Sequence, residues 1–92
     1  MASINDIPKG KGKIVNIGGK DTAVFNDNGT VKAFYTKCPH AECHVNWNDK
    51  ENTWDCPCHG SRFENDGTLK KGPSTQGLYP MDIKMDGGEI TR

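Results

Sequence analysis

Leucine is scarce in this 92-residue chain, with only Leu69 and Leu78 against six isoleucines and four valines. A shortage of leucine beside plentiful β-branched residues disfavours packed helices and favours strands. No window approaches the ~18 consecutive apolar residues of a membrane-spanning helix. The opening stretch MASINDIPKGKGKI also lacks the apolar run of a signal peptide. A cytoplasmic protein without membrane contact is the expectation. Net charge is missing as well: 12 Lys and Arg balance 12 Asp and Glu. Nothing here resembles the basic stripe on which nucleic-acid binding depends. Apolar material is short, at 33% hydrophobic residues and a mean hydropathy of −0.79. A chain of this length buries only about 60–65% of the surface it exposes when unfolded. An inorganic or covalent staple is therefore expected, and the four cysteines are the candidates.

Helical periodicity is absent too. Short apolar stretches alternate with turn clusters at roughly 8–12-residue spacing, the pattern of an all-β sandwich or barrel. Strands are expected at Lys13–Ile17, Thr22–Phe25, Val31–Tyr35, Val45–Trp47, Thr53–Asp55, Ser61–Glu64, Thr68–Lys70, Met81–Met85 and Glu89–Thr91. The Asn26-Asp27-Asn28-Gly29 run between the second and third predicts a hairpin. The chain reads as one small antiparallel domain over residues 1–92.

What the chain does have is chemistry crowded into one window. All four cysteines and all three histidines lie between Cys38 and His59. They form two boxes, Cys38-Pro39-His40-Ala41-Glu42-Cys43 and Cys56-Pro57-Cys58-His59-Gly60-Ser61. Each box carries a cysteine, a histidine and one extra cysteine. The hairpin expected from Val45–Trp47 and Thr53–Asp55 brings the boxes together at one end of a sheet. Three other arrangements fit these residues less well. Structural zinc usually pairs its ligands as C-x2–4-C and H-x3–5-H, which a C-x-H pair fits poorly. A two-disulfide secreted domain leaves the matched histidines unexplained. Thiol catalysis calls for C-x-x-C rather than the C-x-C of Cys56-Pro57-Cys58. His44 has no counterpart in either box and reads as a surface residue. Trp47 and Trp54 read as packing.

The pattern C-x-H, fifteen residues, C-x-x-H resembles that of Rieske proteins. The likeness extends through Trp47-Asn48, the run Trp54 to Phe63, Gly67 and Gly72-Pro73. It is similar to the Rieske domain at the C-terminus of some FAD-dependent oxidoreductases. The resemblance implies a small Rieske fold of antiparallel sheets, with a cluster-binding subdomain over residues 36–76 made of two loops at one end. It implies a 2Fe–2S cluster with Cys38 and Cys56 on one iron and His40 and His59 on the other. It also implies a disulfide between Cys43 and Cys58, which separates respiratory-type boxes from those of oxygenase ferredoxins. Ser61 matches a serine that donates to a bridging sulfide, and Pro73 resembles the proline of a loop covering the cluster. Phe63 stands where high-potential relatives have a tyrosine. The family's Leu-Gly before the second cysteine is Ala41-Glu42 here.

Mixed ligation has an electrostatic consequence. Two ferric ions and two sulfides carry two positive charges, which two thiolates cancel, whereas four thiolates leave the oxidised cluster doubly negative. Neutral imidazoles thus raise the potential to about −150 to +300 mV, against about −400 mV for plant-type ferredoxins. The resemblance implies a soluble, monomeric one-electron carrier, not itself an enzyme, with a flavoprotein as redox partner. A domain of a larger oxidoreductase or oxygenase is the alternative. Quinol oxidation in a cytochrome bc complex is not expected, because that role needs an N-terminal anchor and hinge.

Overall fold

The computed structural model describes residues 2–37, 43–58, 60–72, 74 and 76–91. Among these, ten strands form three antiparallel sheets. The central sheet is β2 (Gly12–Ile17), β3 (Lys20–Asp27) and β4 (Thr30–Tyr35), in that order. Two-residue turns join these strands. Asn28 and Gly29 both take positive φ, 52° and 102°, the geometry in which a hairpin turn matches the twist of its strands. Asn26 Oδ1 accepts the Gly29 N–H at 2.7 Å and fixes that turn.

β3 is buried on both faces, which makes it the middle layer. Ala23 and Phe25 face a core completed by Phe34, Val45, Trp54, Cys56, Phe63 and Leu78. Val24 faces the other way, onto Ile7, Ile17, Ala33, Met81 and Ile90. The first core is closed by the sheet β5 (Asn46–Asn48), β6 (Thr53–Asp55), β7 (Arg62–Glu64) and β8 (Leu69–Lys71). The second is closed by β1 (Ala2–Ser3), β10 (Glu89–Thr91) and β9 (Lys84–Asp86). The all-β expectation holds. A single 3-10 turn, Ile4–Asp6, is capped by Ser3.

Two differences from the expected strands have physical causes. Met81–Met85 does not form one strand. Pro80 has no N–H and makes a single bridge to Phe34; Met81 then donates to Ala33 at 2.9 Å, and the ladder resumes only at Lys84. β1 is two residues long and carries no periodicity from which a strand is legible.

The two tryptophans bind the central sheet to the β5–β8 sheet. Trp54 is fully buried, and Trp47 lies edge-on to it at 4.9 Å between centroids. Both rings lie against the backbone of β2 at Gly12, where a Cβ would come within 2.7 Å of each. Gly12→Ala is therefore expected to cost about 1–3 kcal/mol by overpacking, read as a lowered denaturation midpoint. The same joint carries an ion pair, Lys11 to Asp49 at 3.2 Å. Lys11, and after it the Trp47 indole N–H, hold the Asp49 carboxyl below its usual pKa.

Candidate metal centre

Box one begins and ends at one rung of the fold. Lys37 and His44 form an antiparallel bridge, and the Val45 N–H donates to the Thr36 carbonyl at 2.8 Å. Thr36 Oγ1 and His44 Nδ1 are 2.7 Å apart. His44 is exposed, as its sequence suggests.

Box two is a tight turn between β6 and β7. The Cys56 N–H donates to the Ser61 carbonyl at 2.8 Å, and the Gly60 N–H returns to the Cys56 carbonyl at 3.1 Å. Asp55, half-buried just before the turn, ties three strands together. Its carboxylate accepts from Asn48 Nδ2 and from Thr53 Oγ1, each at 2.7 Å. Arg62 pairs with it from β7 at 3.6 Å. The hairpin of β5 and β6 pairs Trp47 with Trp54 and so sets the two boxes beside one another.

Cys43 and Cys58 are joined by a disulfide, with Cα atoms 6.3 Å apart. The bridge couples box one to box two directly and removes both sulfurs from the set of thiolate donors. Cys56 is the free cysteine among the described residues, and it is 2% exposed within the core. Cys38, His40, His59 and Pro73, together with the departure at Ala41-Glu42, lie outside the described residues. No group of three or more potential metal-ligating side chains occurs among the described residues.

Ser61 is fully buried, and its Oγ accepts the Ser74 N–H at 3.0 Å. One lone pair is thereby used, and the hydroxyl proton stays available for donation. Ser74, also buried, donates its own hydroxyl to the Gln76 carbonyl at 2.8 Å. This clasp between box two and the segment after Gly72 was missed from the sequence. Its only signal there is a serine following Gly72-Pro73. Phe63 is fully buried on β7 opposite Trp54.

These residues fit a metal cluster held between two loops. A thiol kept from water supplies a ligand, a neighbouring hydroxyl with a free proton can donate to it, and a covalent bridge fixes the loops. No helix among the described residues is long and apolar enough to cross a membrane.

Comparison with known proteins points the same way. A protein of Bacillus subtilis (strain 168), YhfW, named as a Rieske 2Fe-2S iron-sulfur protein, is 46% identical over 79 residues, covering 85% of this chain and 16% of that protein. The cytochrome b6-f complex iron-sulfur subunit of Chlorobaculum tepidum is 33% identical over 86 residues, 94% of this chain and 48% of that subunit. The chain thus spans half or less of the length of these relatives. The plasma membrane Rieske protein PetC3 from Synechocystis PCC 6803 superposes with a TM-score of 0.80 at 26% identity, covering 97% of this chain and 92% of that one. The Rieske [2Fe-2S] domain model matches residues 1–82, and the chain belongs to that family, whose cofactor is a 2Fe–2S cluster.

Proposed function

We propose that the chain is a one-electron carrier. In this reading Cys38 and Cys56 bind one iron of the cluster and His40 and His59 the other, within a cluster-binding subdomain over residues 36–76 of a single domain over 1–92. The observation that carries it is the Cys43–Cys58 bridge, which couples the two boxes and leaves Cys56, at the start of box two, as the buried free thiol among the described residues. When bound, the cluster takes up and releases one electron at a potential raised by its imidazole ligands.

The chain's own residues supply shielding and hydrogen bonds. Burial of Cys56 and Phe63 keeps water from the thiolate side. Ser61, oriented by the Ser74 N–H, has a proton to donate toward added negative charge, and such a bond favours the reduced state. Phe63 has no hydroxyl to do the same for a ligand sulfur. By resemblance to the family's proline loop, Pro73 is the residue proposed to cover the site. An intermediate potential follows, below about +250 mV by protein-film voltammetry. A higher value would overturn the reading of Phe63.

Two substitutions test the hydrogen bonding. A hydrogen bond to a charged group contributes about 1.5–3 kcal/mol. Converted for one electron, its full loss is worth roughly 65–130 mV. Ser61→Ala should lower the potential by some fraction of this. It should also cost about 1–3 kcal/mol of stability, because the buried Ser74 N–H loses its acceptor. Phe63→Tyr should raise the potential. Unchanged potentials in both variants would remove Ser61 and position 63 from the reading.

The proposed carrier is soluble, cytoplasmic and monomeric, and relays electrons to or from a flavoprotein. Solubility is supported by the charged fraction of 26% and by the exposure of just two large apolar side chains among the described residues, Tyr79 and Met85. Cell fractionation and gel filtration test these points. The resemblance to Rieske domains of FAD-dependent oxidoreductases supports a flavoprotein partner. A second reading, an electron-transfer domain of a larger oxidoreductase, is favoured by the small share of YhfW that the chain covers. Sequencing the transcript around the coding region separates the two.

A further inference from the structure

A groove of about 530 Å³ is lined by Lys20, Tyr35, Thr36, Lys37, His44 and Tyr79, with Lys37 and His44 flanking box one in the sequence. Its floor is aromatic. Tyr35 is half-buried, and its N–H donates to the Tyr79 carbonyl at 2.9 Å, which sets the two tyrosines on adjoining segments. Tyr79 is 45% exposed, and its hydroxyl accepts from Gln76 Nε2 at 2.8 Å. Its ring therefore has a fixed tether and an open face.

Among the described residues, the Lys and Asp/Glu side chains that line the groove are two lysines, Lys20 and Lys37. The Lys20 ammonium stands 5.0 Å from the centre of the Tyr35 ring. Register explains why Asp21 does not join it. Thr22 pairs with Tyr35, so Lys20, two residues before Thr22, shares that face of the sheet. Asp21 projects to the opposite face, where it lines an adjoining cleft with Ile14, Val45 and Asn46; Thr36 and His44 line both. No acidic side chain lines the groove among the described residues. Lys37 directly precedes Cys38 and His44 directly follows Cys43, so anything seated here lies against the base of the first cluster loop.

Resting on the carrier reading above, we propose that this groove docks an acidic segment of the electron-transfer partner. An apolar side chain of that segment packs on Tyr35 and Tyr79, and a neighbouring carboxylate meets the Lys20 ammonium. Complementary charge brings the partner's redox centre to the cluster end of the domain and raises the encounter rate. A site of this size also suits a single anchoring side chain better than a flat surface does.

The test is a titration of the oxidised, cluster-loaded protein followed by amide NMR shifts. Two peptides are compared, acetyl-Glu-Asp-Phe-Asp-Glu-amide and its all-lysine counterpart with the same central Phe. The acidic peptide should shift Lys20, Tyr35, His44 and Tyr79 saturably, and the lysine peptide should bind about tenfold more weakly. Lys20→Glu should weaken the acidic peptide by about tenfold or more, and Tyr79→Ala should do so independently. Both replaced side chains are exposed, so the visible spectrum should match that of the parent. Equal binding of the two peptides, shifts scattered away from the groove, or no change in Lys20→Glu would overturn the proposal. The same groove shifts produced by concentrating the protein alone would also overturn it, by making a second copy the occupant. Failure of the carrier reading shows differently, as absence of the cluster spectrum before any peptide is added.

Discussion

Cys56→Ser is expected to give a protein that folds but retains no iron–sulfur chromophore. The side chain sits 2% exposed in the core between the central sheet and β5–β8. Its neighbours are fixed by the backbone, through the Cys56–Ser61 and Gly60–Cys56 hydrogen bonds. A serine preserves those bonds and nearly the same volume. What it removes is the thiolate, and an alkoxide is a poor substitute because the hydroxyl does not ionise near neutral pH. Iron and acid-labile sulfide per chain should fall from two of each to essentially none, while the β-sheet circular dichroism survives. Retention of full iron content would remove Cys56 from the ligand set. Loss of the β-sheet signal along with the iron would show instead that the fold depends on metal. Serine at both Cys43 and Cys58 provides the contrast, since neither is proposed as a ligand.

That double variant is the second large effect. The bridge closes a loop of 15 residues that includes the β5–β6 hairpin, and closing a loop of this length contributes about 3 kcal/mol. For a domain with a thin core this is a sizeable share of the total stability. Cys43→Ser with Cys58→Ser should therefore lower the unfolding free energy by about 3 kcal/mol, measured by denaturant titration. The two boxes also lose their covalent link, so cluster bleaching should precede unfolding of the sheets, whereas in the parent the two should coincide. A variant as stable as the parent, with the cluster equally retained, would show that the hydrogen bonds at Val45 and Cys56 hold the boxes alone. Alkylation and mass measurement of unreduced protein from the cell establishes whether the bridge is present there.

Local chemistry made much of the fold legible. β6 and β10 occupy the expected residues, because β-branched and aromatic residues there are bounded by strong turn formers. Asn28-Gly29 makes the hairpin its residue types demand. Trp47 and Trp54 pack as expected, but the sequence alone does not show that Gly12 makes room for both. The arrangement of three sheets was not legible, since β3 alternates between two cores and nothing local identifies either. Pro80 was present in the sequence as a ladder breaker, yet the apolar residues after it suggested a continuous strand.

The site divides in a similar way. The disulfide expected from the family resemblance is formed between Cys43 and Cys58, and Cys56, Ser61 and Phe63 are gathered in the core at box two. The clasp from Ser74 to Ser61 depends on a contact across 13 residues and has no sequence period. The groove draws Lys20, Tyr35, His44 and Tyr79 from four separate segments, which only the folded sheet brings together.

The reading stands most directly on pulsed EPR of the dithionite-reduced protein, labelled with 15N at histidine. Two inequivalent histidine nitrogens should couple to the cluster spin, with one coupling lost in each of His40→Cys and His59→Cys wherever the variant retains a cluster. A reduced cluster with no nitrogen coupling, or a colourless protein containing zinc, would contradict two-cysteine, two-histidine ligation.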